Sequence, residues 1–151
     1  MSIYINRDKL LLSIRKLGAD ARAIVNERVA SGYYTYCANN DPSMVTDKTG
    51  SAKYMSGIYI DVCTGAAIAY LGLRFYQKTN DDACSIIESL QSVKKNSEDY
   101  VSMDEVWDKI RPLAHSNFES GKYNTANGYS NVLDTIRTFY REKTYILGIE
   151  S

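Results

Sequence analysis

Histidine occurs once in this chain, at position 115, so metal sites and catalytic constellations that need a second imidazole are excluded. The three cysteines, Cys37, Cys63 and Cys84, are odd in number, widely spaced and form no C-x-x-C pair. Neither a disulfide framework nor a zinc site follows from that spacing; buried thiols in a reducing cytoplasm do. Net charge is also lacking, with 18 basic against 18 acidic residues, which argues against a protein built to coat nucleic acid. No apolar run reaches the roughly 18 uninterrupted residues of a membrane span, and Met1 to Lys9 has no apolar stretch of signal-peptide length. The expectation is a cytoplasmic protein with no membrane partner. Internal repeats and low-complexity tracts are missing too, so nothing divides residues 1–151 into more than a single globular domain.

What is present is an ordinary globular composition, 44% hydrophobic and 24% charged, too apolar for a disordered chain. The charges are unevenly spread. Residues 1–40 carry six Lys or Arg against three acids, and residues 79–119 carry nine acids against four bases. A basic front and an acidic third quarter can pair within the molecule or orient a partner. Thirteen tyrosines and many asparagines match the composition of proteins from AT-rich genomes, many of them viral, which suggests an accessory protein of that kind.

The chain reads as mainly helical. Leu10, Ile14, Leu17, Ala21 and Ile24 recur at helical spacing and predict a helix over about 7–31, capped by Asn6 or Asp8 and closed by Gly32. Residues 39–53 are dense in turn formers and read as a surface loop. The most apolar segment, Met55 to Tyr76, carries only Asp61 and Arg74 as charges. As a helix it presents Met55, Tyr59, Val62, Ala66, Ala69, Leu73 and Tyr76 in one three-four series. As a β-hairpin it would turn at Thr64-Gly65 between strands at 58–62 and 68–75. Further helices are expected from Asn80 or Asp81 to Lys95, after the capping box Ser102-x-x-Glu105, and from about Asn127 onward, with Pro112 placed to kink or break the second of these. The expected architecture is a mainly α, single-domain bundle of five or six helices around a buried central segment 55–76, with an α+β fold holding a central hairpin at 58–76 as the alternative.

Chemistry-bearing patterns are few. Arg111 and His115 are four apart and would share a helix face, where a guanidinium can hold a phosphate while an imidazole moves a proton. The pair resembles the Arg and His of the HEPN ribonucleases, which are small helical bundles. It departs from that family in its gap, Pro112-Leu113-Ala114, which is three residues and contains a proline. A metal-independent nuclease or phosphotransfer enzyme is the catalytic alternative. The acidic pairs Asp81-Asp82 and Asp104-Glu105 read as helix-start chemistry. Gly121-Lys122 lacks the rest of a phosphate loop, and Asp41 and Asp47 lack the ligand spacing of a calcium loop. Arg15, Lys16, Arg22 and Arg28 on the first helix are the candidate phosphate contacts of a nucleic-acid-binding accessory, interrupted by Asp20 and Glu27. Tyr33, Tyr34, Tyr36 and Tyr123 are the candidate partner-binding residues, because tyrosine gives large contact area at low entropic cost. The expected function is therefore a non-catalytic adaptor, inhibitor or assembly factor. It needs no cofactor and no metal, and its partner is another protein or a second copy of the chain.

Overall fold

The computed structural model describes residues 2–31, 52–55, 58–61 and 66–148. Strand β1 (Ile3–Asn6) runs directly into helix α1 (Arg7–Ala30). Asn6 makes the junction: its side-chain oxygen accepts the Lys9 backbone N–H at 3.0 Å, satisfying one of the donors a helix start leaves open. Strands β2 (Ala52–Met55) and β3 (Ile58–Asp61) form an antiparallel pair with Met55 opposite Ile58. Helix α2 (Ala66–Ser89) follows, then strands β4 (Val93–Lys95) and β5 (Glu98–Ser102), helices α3 (Met103–Glu119) and α4 (Tyr123–Arg141), and the short strand β6 (Ile146–Leu147). The second sheet is antiparallel throughout, in the order β4-β5-β1-β6. Ser102 ends β5 and caps α3, accepting the Glu105 N–H at 3.3 Å.

Helices α1 and α3 pack on this sheet, and α2 and α4 pack on those two helices. Ile5 of β1 and Val101 of β5 stand opposite each other and are both fully buried. They pack with Leu10 and Ile14 of α1, Ile87 of α2, Val106 and Ile110 of α3, and Val132 and Ile136 of α4. A smaller cluster joins α1 to the first half of α2 through Ala21, Val25, Leu73 and Tyr76. Asp99 of β5 receives Arg7 at 3.0 Å and Lys94 at 3.3 Å, fastening the β4–β5 hairpin to the start of α1.

A bundle of five or six helices is contradicted. Among the described residues there are four helices and two sheets. The segment 55–76 is neither one central helix nor a hairpin that turns at Thr64-Gly65. Ile58–Asp61 is a strand, but it pairs backward with Ala52–Met55, and Ala66 onward is helix. The alternating Ile58 and Ile60 were a strand signal whose partner lay in the stretch read as loop. Of the residues in 55–76 whose burial is described, Leu73 and Tyr76 belong to the smaller cluster.

The helix expected to start at Asn80 is instead the second half of α2. Asn80 occupies a core position, 2% exposed, in the series Leu73, Tyr76, Asn80, Ala83, Ile87, so a polar residue inside the apolar stripe imitated a helix start. Residues 93–95, expected as its last turn, form β4. The turn to β5 is made by Asn96 and Ser97, at φ 52° and 67°, between paired Lys95 and Glu98. Two consecutive positive φ values in a two-residue loop are the type I′ geometry, normally written Asn-Gly. Pro112 does not end α3; it lies on the exposed side, and the buried stripe Val106, Ile110, Ala114 carries the helix past it.

Ser97 holds a left-handed conformation that costs a residue with a β-carbon about 1–2 kcal/mol, part of which glycine returns in unfolded-state entropy. Ser97→Gly is expected to stabilise the protein by about 0.5–1 kcal/mol in urea unfolding; a lower midpoint would show that Ser97 is not held there. Gly128 of α4 has no room for a side chain, since an added β-carbon would lie 2.7 Å from Cβ and Cγ2 of buried Thr79 on α2. Gly128→Ala should destabilise by about 1–3 kcal/mol, and an unchanged unfolding midpoint would mean that α2 and α4 separate at that point.

Candidate functional site

The turn between α3 and α4 is short and closed by its own backbone. Gly121 takes φ 76°, its N–H reaches the Phe118 carbonyl at 3.0 Å, and the Lys122 N–H reaches the Asn117 carbonyl at 2.9 Å. This pair of bonds is the Schellman ending, in which a left-handed residue lets the chain reverse while the last carbonyls are satisfied. The reversal sets Phe118, near the end of α3, edge-on against Tyr123, the first residue of α4, with ring centres 5.5 Å apart and planes at 63°. Such edge-to-face pairs are favoured by the ring quadrupoles.

Tyr123 and Phe75 of α2 line one cleft of about 520 Å³. Its floor is Thr79, whose hydroxyl donates to the Phe75 carbonyl at 2.9 Å. Lys78 and Asp82, paired at 3.1 Å on successive turns of α2, form one wall, and Asn117 and Lys122 form the other. Phe75, Phe118 and Tyr123 remain 45%, 59% and 45% exposed. Phe75 and Tyr123 therefore stand in water at one depression, and Phe118, outside its lining, packs against Tyr123 beside it.

Of the four tyrosines singled out in the sequence, Tyr123 lies in this cleft, and Tyr33, Tyr34 and Tyr36 lie outside the described residues. Phe75 and Phe118 were missed. Phe118 follows buried Ala114 by four residues and so continues the apolar stripe of α3; only the helix end leaves it uncovered. Phe75 belongs to a segment read as buried all round, which concealed that one side of α2 is open.

The two residues of the catalytic alternative are exposed on one helix. Arg111 and His115 are both on the exposed side of α3, and neither lines the cleft. His115 is 3.8 Å from the Glu119 carboxylate, four residues on, with both side chains largely in solvent. The basic residues of α1 are turned to structural use: Arg15 bonds Glu88 at 2.8 Å and Arg22 bonds Gln77 at 2.8 Å, both on α2, while Lys16 pairs with Asp20 at 3.3 Å. Asp104 and Glu105 do lie in the first turn of α3, as their helix-start reading required, whereas Asp81 and Asp82 lie within α2. Among the described residues no three His, Cys, Asp or Glu side chains converge as metal ligands. Burial raises the Cys84 thiol above its usual range despite nearby Arg15, so it stays protonated and unreactive at neutral pH. No described helix is long and apolar enough to cross a membrane.

The chain matches no family model, and no curated protein or solved structure is significantly similar to it.

If the aromatic patch is not held for stability, its loss should not unfold the protein. Phe118→Ser is expected to change stability by less than about 0.5 kcal/mol, as is usual for an exposed position. A loss of several kcal/mol in chemical denaturation would make Phe118 part of the core.

Proposed function

We propose that the protein is a non-catalytic interaction module of the cytoplasm, an adaptor, inhibitor or assembly factor, that binds another protein through the aromatic cleft between α2 and the α3–α4 turn. The observation that supports this reading is that exposed Phe75 and Tyr123 line one cleft, with exposed Phe118 packed edge-on against Tyr123 at its border. Aromatic residues dominate the few positions that carry most of the binding energy in protein interfaces. Covering roughly 100 Å² of each ring, at about 25 cal/mol per Å², is worth on the order of 2 kcal/mol per residue. Together the three reach the lower end of the roughly 4–15 kcal/mol that association costs in lost freedom.

The reading also rests on where the other chemistry lies. Among the described residues Arg111 and His115 stand exposed on α3, and Arg15 and Arg22 of α1 are engaged with α2. A phosphate-binding surface would need those cations available.

The test is capture from the native host with wild-type protein, with His115→Ala, and with Phe75, Phe118 and Tyr123 all changed to serine. A protein partner should be retained by the first two and weakened by roughly 2 kcal/mol or more in the triple variant. Retention should persist in raised salt, where phosphate contacts fail steeply. Should His115→Ala or Arg111→Ala abolish the biological activity of a folded protein while the triple variant keeps it, the reading is wrong and a nuclease takes its place.

A further inference from the structure

A second depression lies between α3 and α4, and it shares no lining residue with the aromatic cleft. We propose that it is a binding site for a small apolar anion: a flat aromatic or short acyl body carrying a single carboxylate or sulfonate. Three pairs of side chains, each four residues apart and so on one helix face, build it. Met103 and Trp107 of α3, with Ile136 and Tyr140 of α4, give an apolar surface. Met103 and Trp107 are partly buried against the main core, and Ile136 belongs to it, so the floor is held in place before any ligand arrives. Arg137 and Arg141 form the α4 rim, and Asp104 stands on the α3 side.

The volume, about 400 Å³, falls within the roughly 300–1,000 Å³ of small-molecule sites, which combine an apolar lining with a few placed polar groups. Arg137 is fixed over the Trp107 ring, 4.9 Å from its centre, and bonds Asp134 at 2.9 Å. Arg141 bonds only the neutral Thr138 hydroxyl, at 3.2 Å, and has no carboxylate within ion-pair distance among the described residues. Tyr140 is half exposed and stacked on Tyr145, ring centres 5.6 Å apart and planes at 11°. The occupant that complements this arrangement lays an apolar body on Met103, Ile136 and Tyr140, beside the Trp107 ring that Arg137 covers, and turns its acidic head to Arg141. A cationic head would meet two guanidinium groups, and a neutral one would leave Arg141 without the charge-assisted bond available to it.

Trp107 is the chain's only tryptophan, so the site carries its own reporter. The full chain would be titrated with 1-anilinonaphthalene-8-sulfonate and with the uncharged N-phenyl-1-naphthylamine, reading quenching of Trp107 and the dye emission it sensitises. Saturable one-to-one binding of the sulfonate is expected, with the neutral dye about tenfold weaker. Arg141→Gln should weaken the sulfonate about fivefold, and Asp104→Asn should strengthen it by a similar factor. Phe75→Ser, in the other cleft, should change nothing. Equal affinity for the two dyes, insensitivity to both charge variants, or absence of saturable quenching would each overturn the proposal. None of these results bears on the aromatic cleft, whose test uses different residues.

Discussion

The pairing of β1 with β5 is the constraint on which the rest of the structure hangs. Both strands end in a residue that is also a helix cap, Asn6 for α1 and Ser102 for α3, and the register places Tyr4 opposite Ser102 and Asn6 opposite Tyr100. Because the pair is antiparallel, the two helix starts leave it at opposite ends. Ile5 and Val101, opposed and fully buried, make that junction the bottom of the core, so slipping the register by one residue would turn one of them toward solvent. With α1 and α3 placed, α4 folds back along α3 through the Gly121 turn, and α2 fills the space between α1 and α4.

The same geometry creates the aromatic cleft. A tight Schellman turn brings α4 back so abruptly that the last ring of α3 and the first of α4 meet in solvent, and the close approach of α2 at Gly128 and Thr79 brings Phe75 beside them. Each ring would be an unremarked surface side chain alone. Two close helix contacts gather the three rings near one another on one surface.

Some charges in this fold bind its parts together. The basic front of the chain and its acidic third quarter meet as Arg7 with Asp99 and Arg15 with Glu88. These pairs are at least partly exposed, and each is worth at most about 1 kcal/mol; their effect is to set α1 against α2 and the hairpin more than to add stability. Arg141 and Lys122 are different, having no acidic partner among the described residues, and each borders one of the two depressions.

The sequence by itself determined the helices whose apolar residues repeat without interruption. α1 was legible from Leu10 to Val25, α3 from its Ser102 cap, and α4 from Val132 to Ile136, because helical spacing and capping are local properties. The main sheet was not legible. Its strands are two to five residues long, its β4–β5 turn uses Asn96-Ser97 where glycine is the usual sign, and the turn after α4 places Lys143 at φ 55° with no glycine to announce it. Pairing β1 with β5 and β6 joins residues on the order of a hundred positions apart or more, which no local pattern encodes. Asn80 misled for the related reason that its burial is decided by neighbours on other elements. Tyr123 could be named from its residue type alone, but Phe75, Phe118 and the groove at Trp107 became sites only when tertiary packing decided which sides of α2, α3 and α4 stay uncovered, since exposure is a property of the assembled surface.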